Sequence, residues 1–402
     1  MNETNPSPLN AKAEPPGAPA PTAGAEPDPA TDPATPPASQ QQPRRARRRR
    51  LRIVVAVATA LLSLLLATIA LEVYLRVRYR RKLPNPGCYV FDLDLGKRLK
   101  RGFVGQSYGV DVSINSLGLR ERELTKERPP GAKRILALGD SWTFGISVET
   151  DETWPKQLEQ ELGGPEKIEV VNAGISGYET HHEAFFYEHD LAPALDHDVL
   201  LIGFYPVNDT HDKSHRYRRY RWLHDLHPKL LDLYLLPKQL MITQVYKNWK
   251  VNRKLQGYLE RYHPENRDED DDDAPDWSDA FREEDHGWQT CAESLLKLGK
   301  LSREHGAKGI VVLFPDVRDI KKYIEDQHPR VLPLVKKATE AAGMELIDLV
   351  DAFRPYAGKE IELVVQWGAT HVDERGYALI GRALAAALRE RGLLGLQPGK
   401  PQ

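Results

Sequence analysis

The sequence is poor in cysteine, which supplies two of its 402 residues, Cys88 and Cys291. Two cysteines are too few for a disulfide framework or for a metal site built on thiolates, so both are excluded. A single bridge between Cys88 and Cys291 would form only in an oxidising compartment, and the sequence does not decide whether the two residues meet. A hydrophobic core must therefore hold the fold, and the chain is long enough to build one.

A strong net positive charge is also missing, since the formal charge at pH 7 is -2. The basic residues concentrate in residues 44–82, which hold twelve Lys or Arg and one acid. The rest of the chain is acidic on balance, and residues 268–273 alone contribute six negative charges. We expect no basic surface wide enough for nucleic acid, which excludes that class of partner.

Large apolar residues are almost absent from residues 1–43, which are rich in Pro, Ala, Thr and Gly. Such a composition buries too little apolar surface to offset chain entropy, so this tail is predicted to be disordered. Residues 53–75 differ, because they are mostly apolar and their only charged side chain is Glu72. As a helix this run is about 35 Å long, enough to cross a hydrocarbon core of about 30 Å. Residues 44–82 are therefore predicted to form a single transmembrane helix with basic flanks.

A cleaved signal peptide is the alternative for this run. A long tail precedes its basic residues, however, and no clear small-residue cleavage site follows it, so a retained span is favoured. Seven positive residues lie before the run and five after it. This difference favours a cytoplasmic amino terminus and a large domain in the periplasm or outside the cell.

Strands alternate with helices after residues 83–130, a membrane-proximal neck with several Gly and Pro turns. Short apolar runs predict buried strands at residues 135–138, 168–171, 199–204, 309–314 and 345–349. Amphipathic runs predict helices at residues 152–162, 179–191, 290–305, 330–342 and 375–391. The alternation predicts a three-layer α/β/α domain with a parallel sheet over residues 131–392. Residues 210–285 break the rhythm and predict a helical insertion, and residues 393–402 form a tail.

Polar side chains come directly after the first predicted strand, in the stretch R-I-L-A-L-G-D-S-W-T-F-G at residues 134–145. The apolar run stops at Gly139, and Asp140, Ser141 and Thr143 follow in a tight turn. A serine where a strand turns into a helix stands at the mouth of an α/β sheet, beside free backbone N–H groups. By itself, such a turn is better explained by a glycine turn with a capping Asp or Ser, and the rest of the chain decides.

Three further residues fall in loops of the same predicted sheet. Gly174 follows the second strand, Asn208 follows the third, and His371 precedes the last helix. Because ligands of open parallel sheets bind outside the carboxyl ends of the strands, these loops are expected to converge on Ser141. Taken singly, Gly174 is explained by a turn, Asn208 by a helix cap and His371 by a surface histidine.

In this order the four blocks resemble those of the SGNH hydrolases, also called GDSL esterases. The resemblance spans residues 134–388, with Trp142 where many members have Leu. Residues 115–120, which could be only a turn closing a hairpin, also look like a stretch of membrane-anchored bacterial members. The resemblance implies an SGNH, flavodoxin-like fold and an ester-hydrolysing activity that needs no metal or organic cofactor.

The resemblance also implies roles for the four residues. Ser141 Oγ would attack an ester carbonyl while His371 accepts its proton. The N–H groups of Ser141 and Gly174 and the side-chain amide of Asn208 would hold the oxyanion. The expected substrate is an acylated, possibly O-acetylated, carbohydrate or lipid outside the cytoplasm, and the membrane is a partner through the one span. Transfer of the acyl group to a polysaccharide and a catalytically degenerate glycan-binding or scaffold protein are the alternatives.

The sequence departs from the family at Gly368, three residues before His371, where members usually carry an Asp that orients the imidazole. Replacing the orienting Asp of a full triad by Asn costs about four orders of magnitude in turnover. A backbone carbonyl, Asp348 or Asp373 is open as a substitute, and no third member is assigned.

Two other groups of residues have simpler explanations. The adjacent His181 and His182 lack the carboxylate spacing of a metal site and are predicted to lie on the surface. Residues 213–229 mix basic and aromatic side chains. They could line a groove that stacks sugars, or form the solvent face of a helix.

Overall fold

The structure is a computed structural model. It describes residues 42–78, 88–210, 214–227, 229–230, 233–234, 236, 240–243, 245–246, 249, 276–364 and 371–395. The predicted tail at residues 1–43, apart from its last two residues, lies outside this set. So do Gly368, the acidic run at residues 268–273 and most of the carboxyl-terminal tail.

Helix α1 spans Gln42–Arg78 and continues the basic stretch into the apolar run. Its large apolar side chains are exposed, as for Leu61 and Leu64. Within the described part of the chain, Arg47–Arg78 is the one helix that is long and apolar enough to cross a membrane. The predicted helix is therefore present, with the length and composition that a span requires.

Two hairpins occupy the predicted neck. Strand β1 (Tyr89–Asp92) pairs with β2 (Gly96–Leu99), and β3 (Val104–Ser107) pairs with β4 (Val110–Ser113), both antiparallel. Leu99 of β2 and Val112 of β4 are buried in the same hydrophobic cluster as residues of the central sheet. The neck therefore contributes to the core of the α/β domain rather than standing apart from it.

Five parallel strands form the central sheet in the order β6-β5-β7-β8-β9. They are β5 (Lys133–Gly139), β6 (Ile168–Gly174), β7 (Val199–Phe204), β8 (Lys308–Leu313) and β9 (Glu345–Asp348). These confirm the five predicted strands, which are short apolar runs largely covered on both faces. Because β5 lies between β6 and β7, the carboxyl ends of these three strands meet where the strand order reverses.

Helices cover both faces of the sheet and give the predicted three layers. In chain order, the named helices after α1 are α2 (Ser141–Phe144), α3 (Trp154–Glu161), α4 (Thr180–Phe186), α5 (Ala192–Ala194), α6 (Pro206–Asp209), α7 (Ser214–Leu226) in the insertion, α8 (His286–Glu304), α9 (Ile320–Lys322), α10 (His328–Ala341), α11 (Val350–Phe353) and α12 (Glu374–Glu390). Leu136 and Leu138 of β5 pack with α4, α8 and α10, whereas Ile135 and Ala137 pack with α3 and α12. Alternate residues of one strand thus enter opposite layers.

The two cysteines are both buried and free. Cys88 Sγ lies 3.3 Å from Ser107 Oγ, and Cys291 Sγ lies 3.4 Å from Thr180 Oγ1. The bridge that the sequence left open is therefore not formed.

Candidate active site

Ser141 is the first residue of α2, directly after β5. Asp140 caps this helix, since its Oδ1 accepts a hydrogen bond from the Trp142 N–H at 2.8 Å. Gly139 has φ +152°, and a Cβ there would come 2.0 Å from Thr143 Oγ1, so the turn requires glycine. As the first helical residue, Ser141 has a backbone N–H that no helical carbonyl accepts. The local sequence therefore presents the Ser141 hydroxyl and N–H together.

Arg120, from the segment that follows the neck hairpins, holds the other end of α2. Its Nη1 donates to the Phe144 carbonyl at 3.0 Å and to the Gly145 carbonyl at 2.5 Å, and its Nη2 donates to the Val148 carbonyl at 2.6 Å. The side chain is fully buried, and this burial lowers the pKa of Arg120 to about 10. A cation is favourable here because the last carbonyls of a helix lack partners within it. The sequence pointed to residues 115–120 only through a resemblance and missed this contact.

His371 reaches Ser141 from the loop before α12. Its Nε2 lies 2.8 Å from Ser141 Oγ, a hydrogen-bond distance between two residues 230 positions apart. Burial lowers the pKa of His371 to about 4, so the imidazole is neutral at pH 7. A neutral imidazole at this distance has the geometry of a general base for the hydroxyl.

The two acids that the sequence left open beside His371 bond other groups. Asp348 instead pairs with His328 Nε2 at 2.6 Å. Asp373 caps α12, accepting from the backbone N–H of Arg375 at 3.0 Å and of Gly376 at 3.1 Å. Both acids that the sequence left open as substitutes are therefore used elsewhere, and Gly368 lies outside the described residues.

Asn208 approaches Ser141 from the carboxyl end of β7, on the one-turn helix α6. Its Nδ2 donates to the Tyr178 carbonyl at 2.6 Å and lies 3.2 Å from Asp140 Oδ2. The same Asp140 oxygen is 3.5 Å from Ser141 Oγ. The side-chain amide and the hydroxyl therefore share a carboxylate neighbour, which puts them at one site.

Gly174 ends β6 beside Gly139, but its N–H is already used. It donates to Asn172 Oδ1 at 3.0 Å, so an oxyanion role for Gly174 would require this bond to break. A Cβ on Gly174 would lie 2.2 Å from the Phe144 nitrogen. The glycine is therefore needed for the close packing of α2 against β6.

Gly177, three residues further on, was missed by the sequence analysis. It has φ +76°, and no described residue accepts its backbone N–H. It directly precedes Tyr178, whose carbonyl receives the Asn208 amide. The signal that could have found it was the second glycine of the Gly174-Ile175-Ser176-Gly177 turn.

Buried acids lie behind Asn208. Asp209 Oδ2 accepts from the Tyr205 N–H at 2.7 Å and its Oδ1 accepts from Thr180 Oγ1 at 2.9 Å, which fixes α6 to α4. Glu183 of α4 is also buried, and neither of its carboxylate oxygens has a hydrogen-bond partner among the described residues. Burial raises the pKa of Glu183 and of Asp209 well above the usual range of each acid, and the nearby Asp140 carboxylate raises both pKa values further.

The expectation that His181 and His182 lie on the surface is wrong for His182, which is 1% exposed. In the described part of the chain these two histidines and Glu179 are the group whose ligand atoms lie close enough, within 4.8 Å, to share a metal ion. His182 Nδ1 already accepts the Glu179 N–H at 3.3 Å. Its lone pair is therefore occupied, and we assign no metal to this cluster.

No protein-family model matches the chain, and no curated protein matches it. The solved structures that it resembles include the acetylxylan esterase Axe2 from Geobacillus stearothermophilus, at 16% identity over 67% of this chain and 100% of that one, with a TM-score of 0.37. They also include a member of the lipolytic protein G-D-S-L family from Veillonella parvula DSM 2008 (16% identity, 63% and 96%, TM-score 0.35). A third is the lipase/acylhydrolase from Enterococcus faecalis (16% identity, 67% and 100%, TM-score 0.36).

The strand order and the position of the four sequence blocks give the fold of this domain. Gly139-Asp140-Ser141, Gly174 and Asn208 fall at the carboxyl ends of β5, β6 and β7, and His371 precedes the last helix. The domain has the doubly wound α/β/α fold that the sequence resemblance to the SGNH/GDSL hydrolases predicts. The chemistry of the site depends on its side chains.

Proposed function

We propose that this protein is a membrane-anchored serine esterase or deacylase. The observation that carries the proposal is the 2.8 Å contact between Ser141 Oγ and His371 Nε2, with the Asn208 amide beside it. A hydroxyl becomes a useful nucleophile only when a base removes its proton, and the neutral imidazole of His371 is such a base.

The reaction follows from this geometry. Ser141 Oγ attacks the ester carbonyl carbon as its proton passes to His371 Nε2. The oxyanion that forms is held by the Ser141 N–H and by the Asn208 amide, whose N–H on Asp140 Oδ2 at 3.2 Å would turn from that carboxylate to the oxyanion. The Gly177 N–H is a further donor, and we place it ahead of Gly174 because the Gly174 N–H is engaged. His371 then protonates the leaving alcohol, and water releases the acyl group by the reverse sequence, with His371 as its base.

The substrate class that we propose is an O-acyl group, including O-acetyl, on a carbohydrate or lipid outside the cytoplasm. It follows from the sequence resemblance and from the charge asymmetry around α1, which favours an external domain. If a polysaccharide hydroxyl enters in place of water, the same acyl-enzyme gives acyl transfer.

A second candidate is a degenerate site in a glycan-binding or scaffold protein. The observation in its favour is that Asp348 and Asp373, the two acids that could have supported the imidazole, bond other groups. An imidazole without such support loses much of the rate of a full triad.

Covalent labelling of the detergent-solubilised full chain with a fluorophosphonate probe, read by peptide mass spectrometry, separates the two candidates. We expect the label on Ser141, and we expect Ser141→Ala and His371→Ala to abolish it. The matched controls are Ser116→Ala, which removes an exposed serine bonded to Glu123, and His328→Ala. Both controls should label like the parent chain.

A folded protein that takes no label would favour the scaffold. If Ser141 is labelled, acetate release from acetylated sugars, measured with and without an acceptor glycan, distinguishes hydrolysis from transfer.

A further inference from the structure

The predicted insertion exposes a group of large apolar side chains. We call it the insertion patch, and its described members are Leu230 (44% exposed), Leu233 (65%), Tyr234 (38%), Leu236 (51%), Tyr246 (59%) and Trp249 (53%). Six large apolar side chains exposed within twenty residues is unusual for a surface that faces only water. Such a surface marks an interaction site.

Hydrogen bonds tie this part of the insertion to helix α1. The Glu72 carboxylate accepts the backbone N–H of Met241 at 2.7 Å and of Ile242 at 3.1 Å, and Arg76 Nε donates to it at 2.8 Å. Residues 53–71 of α1 carry no charge. Nineteen helical residues are about 28 Å long, close to the hydrocarbon thickness of about 30 Å. If residues 53–71 fill the hydrocarbon core, Glu72 is the first residue beyond it, and the insertion bonds α1 at that residue.

Contacts also join the patch to the α/β domain. Tyr234 packs on Tyr220 of α7, with ring centroids 6.0 Å apart, and Tyr220 packs on Phe91 of β1 at 5.6 Å. Arg221 of α7 pairs with Asp94 in the turn between β1 and β2. The patch therefore lies between the end of the apolar helix and the first hairpin.

The charge around the patch suits an anionic lipid surface. Residues 229–250 contain four lysines and one aspartate. Lysines beside a bilayer are attracted to anionic headgroups, and tyrosine and tryptophan prefer the level of the headgroups because their rings have an apolar body and a polar edge. Apolar, aromatic and basic residues thus occur together in this segment of the sequence, and its Met241 and Ile242 bond Glu72.

We propose that the insertion patch lies in the headgroup region of the bilayer that α1 spans, as an in-plane membrane contact. The inference rests on the membrane anchoring that forms part of the proposed function, but not on esterase activity. Its consequence is that the α/β domain is held against the membrane by two contacts, the span and the patch. Its substrates would then be presented at or near the lipid surface.

The test uses the full chain in lipid nanodiscs of phosphatidylcholine, with and without phosphatidylglycerol. An NBD fluorophore is attached to a single introduced cysteine, in a background where the buried Cys88 and Cys291 are replaced by alanine. The patch variants are Leu233→Cys and Trp249→Cys. The matched control is Leu296→Cys on α8, an exposed leucine outside the patch.

We expect lipids with a nitroxide near the headgroup to remove most of the fluorescence of the patch probes, and aqueous iodide to quench them weakly. The Leu296→Cys probe should show the reverse. Quenching of the patch probes should deepen when phosphatidylglycerol is present.

A probe at Leu62→Cys, within α1, distinguishes a failure of the membrane anchoring from a failure of the in-plane contact. If Leu62→Cys is not quenched by lipids with a nitroxide deep in the acyl chain, the membrane anchoring itself is wrong. If it is quenched but iodide reaches the patch probes freely, the in-plane contact is overturned. Patch probes shielded from both quenchers, together with cysteine cross-linking between chains, would mean that a second copy covers the patch, which also overturns the proposal.

Discussion

The two halves of the candidate site are built very differently. On the Ser141 side, Asp140 caps α2, Arg120 holds its far end and Asp209 fixes the helix that carries Asn208. On the His371 side, burial keeps the imidazole neutral, and the candidate acids Asp348 and Asp373 bond other groups. The half that would bind the oxyanion is thus supported by buried polar contacts, whereas the base contacts its serine and neither candidate acid supports it.

The difference suggests where catalytic power would come from. Fixed donors aimed at developing charge are usually the largest single contribution to the rate, and they need no carboxylate behind the histidine. A carboxylate chiefly fixes the tautomer of the imidazole and stabilises its charged form. We therefore expect a slow enzyme with an intact oxyanion site, and the following experiments test that view.

The largest expected effect is that of His371→Ala. General-base catalysis contributes about 10²–10⁴-fold, so ester turnover should fall by that order. The control is His328→Ala, which removes the histidine that does have a carboxylate partner, Asp348. Hydrolysis of p-nitrophenyl acetate by both variants checks this. If both variants lose the same fraction of ester turnover, the effect of His371→Ala comes from a disturbed fold and not from loss of the base for Ser141.

Asn208→Ala comes next. Loss of one oxyanion donor costs about 10²–10³-fold in kcat, and KM should change little because the contact strengthens in the transition state. Asn172→Ala is the control, since the Asn172 side chain binds the Gly174 N–H rather than facing Ser141. If Asn172→Ala lowers kcat as strongly as Asn208→Ala, the oxyanion donor that we place at Gly177 is wrong.

Arg120→Met tests the support of α2. The change leaves the carbonyls of Phe144, Gly145 and Val148 without their donor, and unsatisfied buried polar groups cost about 1–3 kcal/mol each. We expect the free energy of unfolding, measured with urea, to fall by roughly 3 kcal/mol. Arg128→Met is the control, because Arg128 pairs with Asp198 at a partly exposed position. If the free energy of unfolding falls no more than in Arg128→Met, the stabilisation of α2 by Arg120 is contradicted.

Most of the sheet and of the Ser141 side could be predicted from the sequence. The runs that form β5 and β7 are apolar on both faces, so their length and position identify them without tertiary information. Gly139-Asp140-Ser141 is a local signal, since the glycine, the cap and the helix start all lie within three residues.

The rest depends on contacts between distant segments, which a single sequence does not display. Arg120 finds three carbonyls of another loop, and Asp373 turns to its own helix rather than to His371. His182 is buried although its neighbour His181 is partly exposed, because α4 packs one face on the domain. Likewise, the Asn172 side chain accepts the Gly174 N–H, and this contact is why we propose the Gly177 N–H as the oxyanion donor.

The next prediction concerns pH and the base. Since burial lowers the pKa of His371 from 6.5 to about 4, the base stays neutral above about pH 4, and kcat/KM should fall only below that value. Gly368→Asp introduces the acid that the family usually carries, and a nearby carboxylate favours the charged imidazole. The fall of kcat/KM at low pH, the acid limb of the profile, should therefore move from about pH 4 toward pH 6.5. The value of kcat/KM on the plateau above it should be higher than in the parent chain.

Ala369→Asp is the control for this change, because it places the same charge one residue away from that position. A pH profile of kcat/KM for the two variants and the parent chain checks the prediction. An acid limb near 6.5 in the parent chain would mean that His371 already has an ionised partner.

The smallest expected effect concerns the buried acids behind Asn208. The pKa of Glu183 is raised well above its ordinary value of 4.5, so the folded chain keeps a proton that the unfolded chain releases. Stability from this group is therefore full below about pH 4.5 and is lost as pH rises toward the folded pKa, by up to about 1.4 kcal/mol per pH unit. Glu183→Gln should flatten this slope without abolishing it, since Asp209 acts in the same direction.

Glu188→Gln is the control, because Lys297 lowers the pKa of Glu188 below 4.5 and its contribution is therefore constant above about pH 5, so its profile should run parallel to that of the parent chain. Urea unfolding between pH 5 and pH 8 measures both variants. If the Glu183→Gln profile runs parallel to that of the parent chain, the Glu183 carboxyl ionises freely in the fold. The apparent rigidity of the Asn208 side would then rest on Asp209 and Thr180 alone, and the contrast between the two halves of the site would be correspondingly smaller.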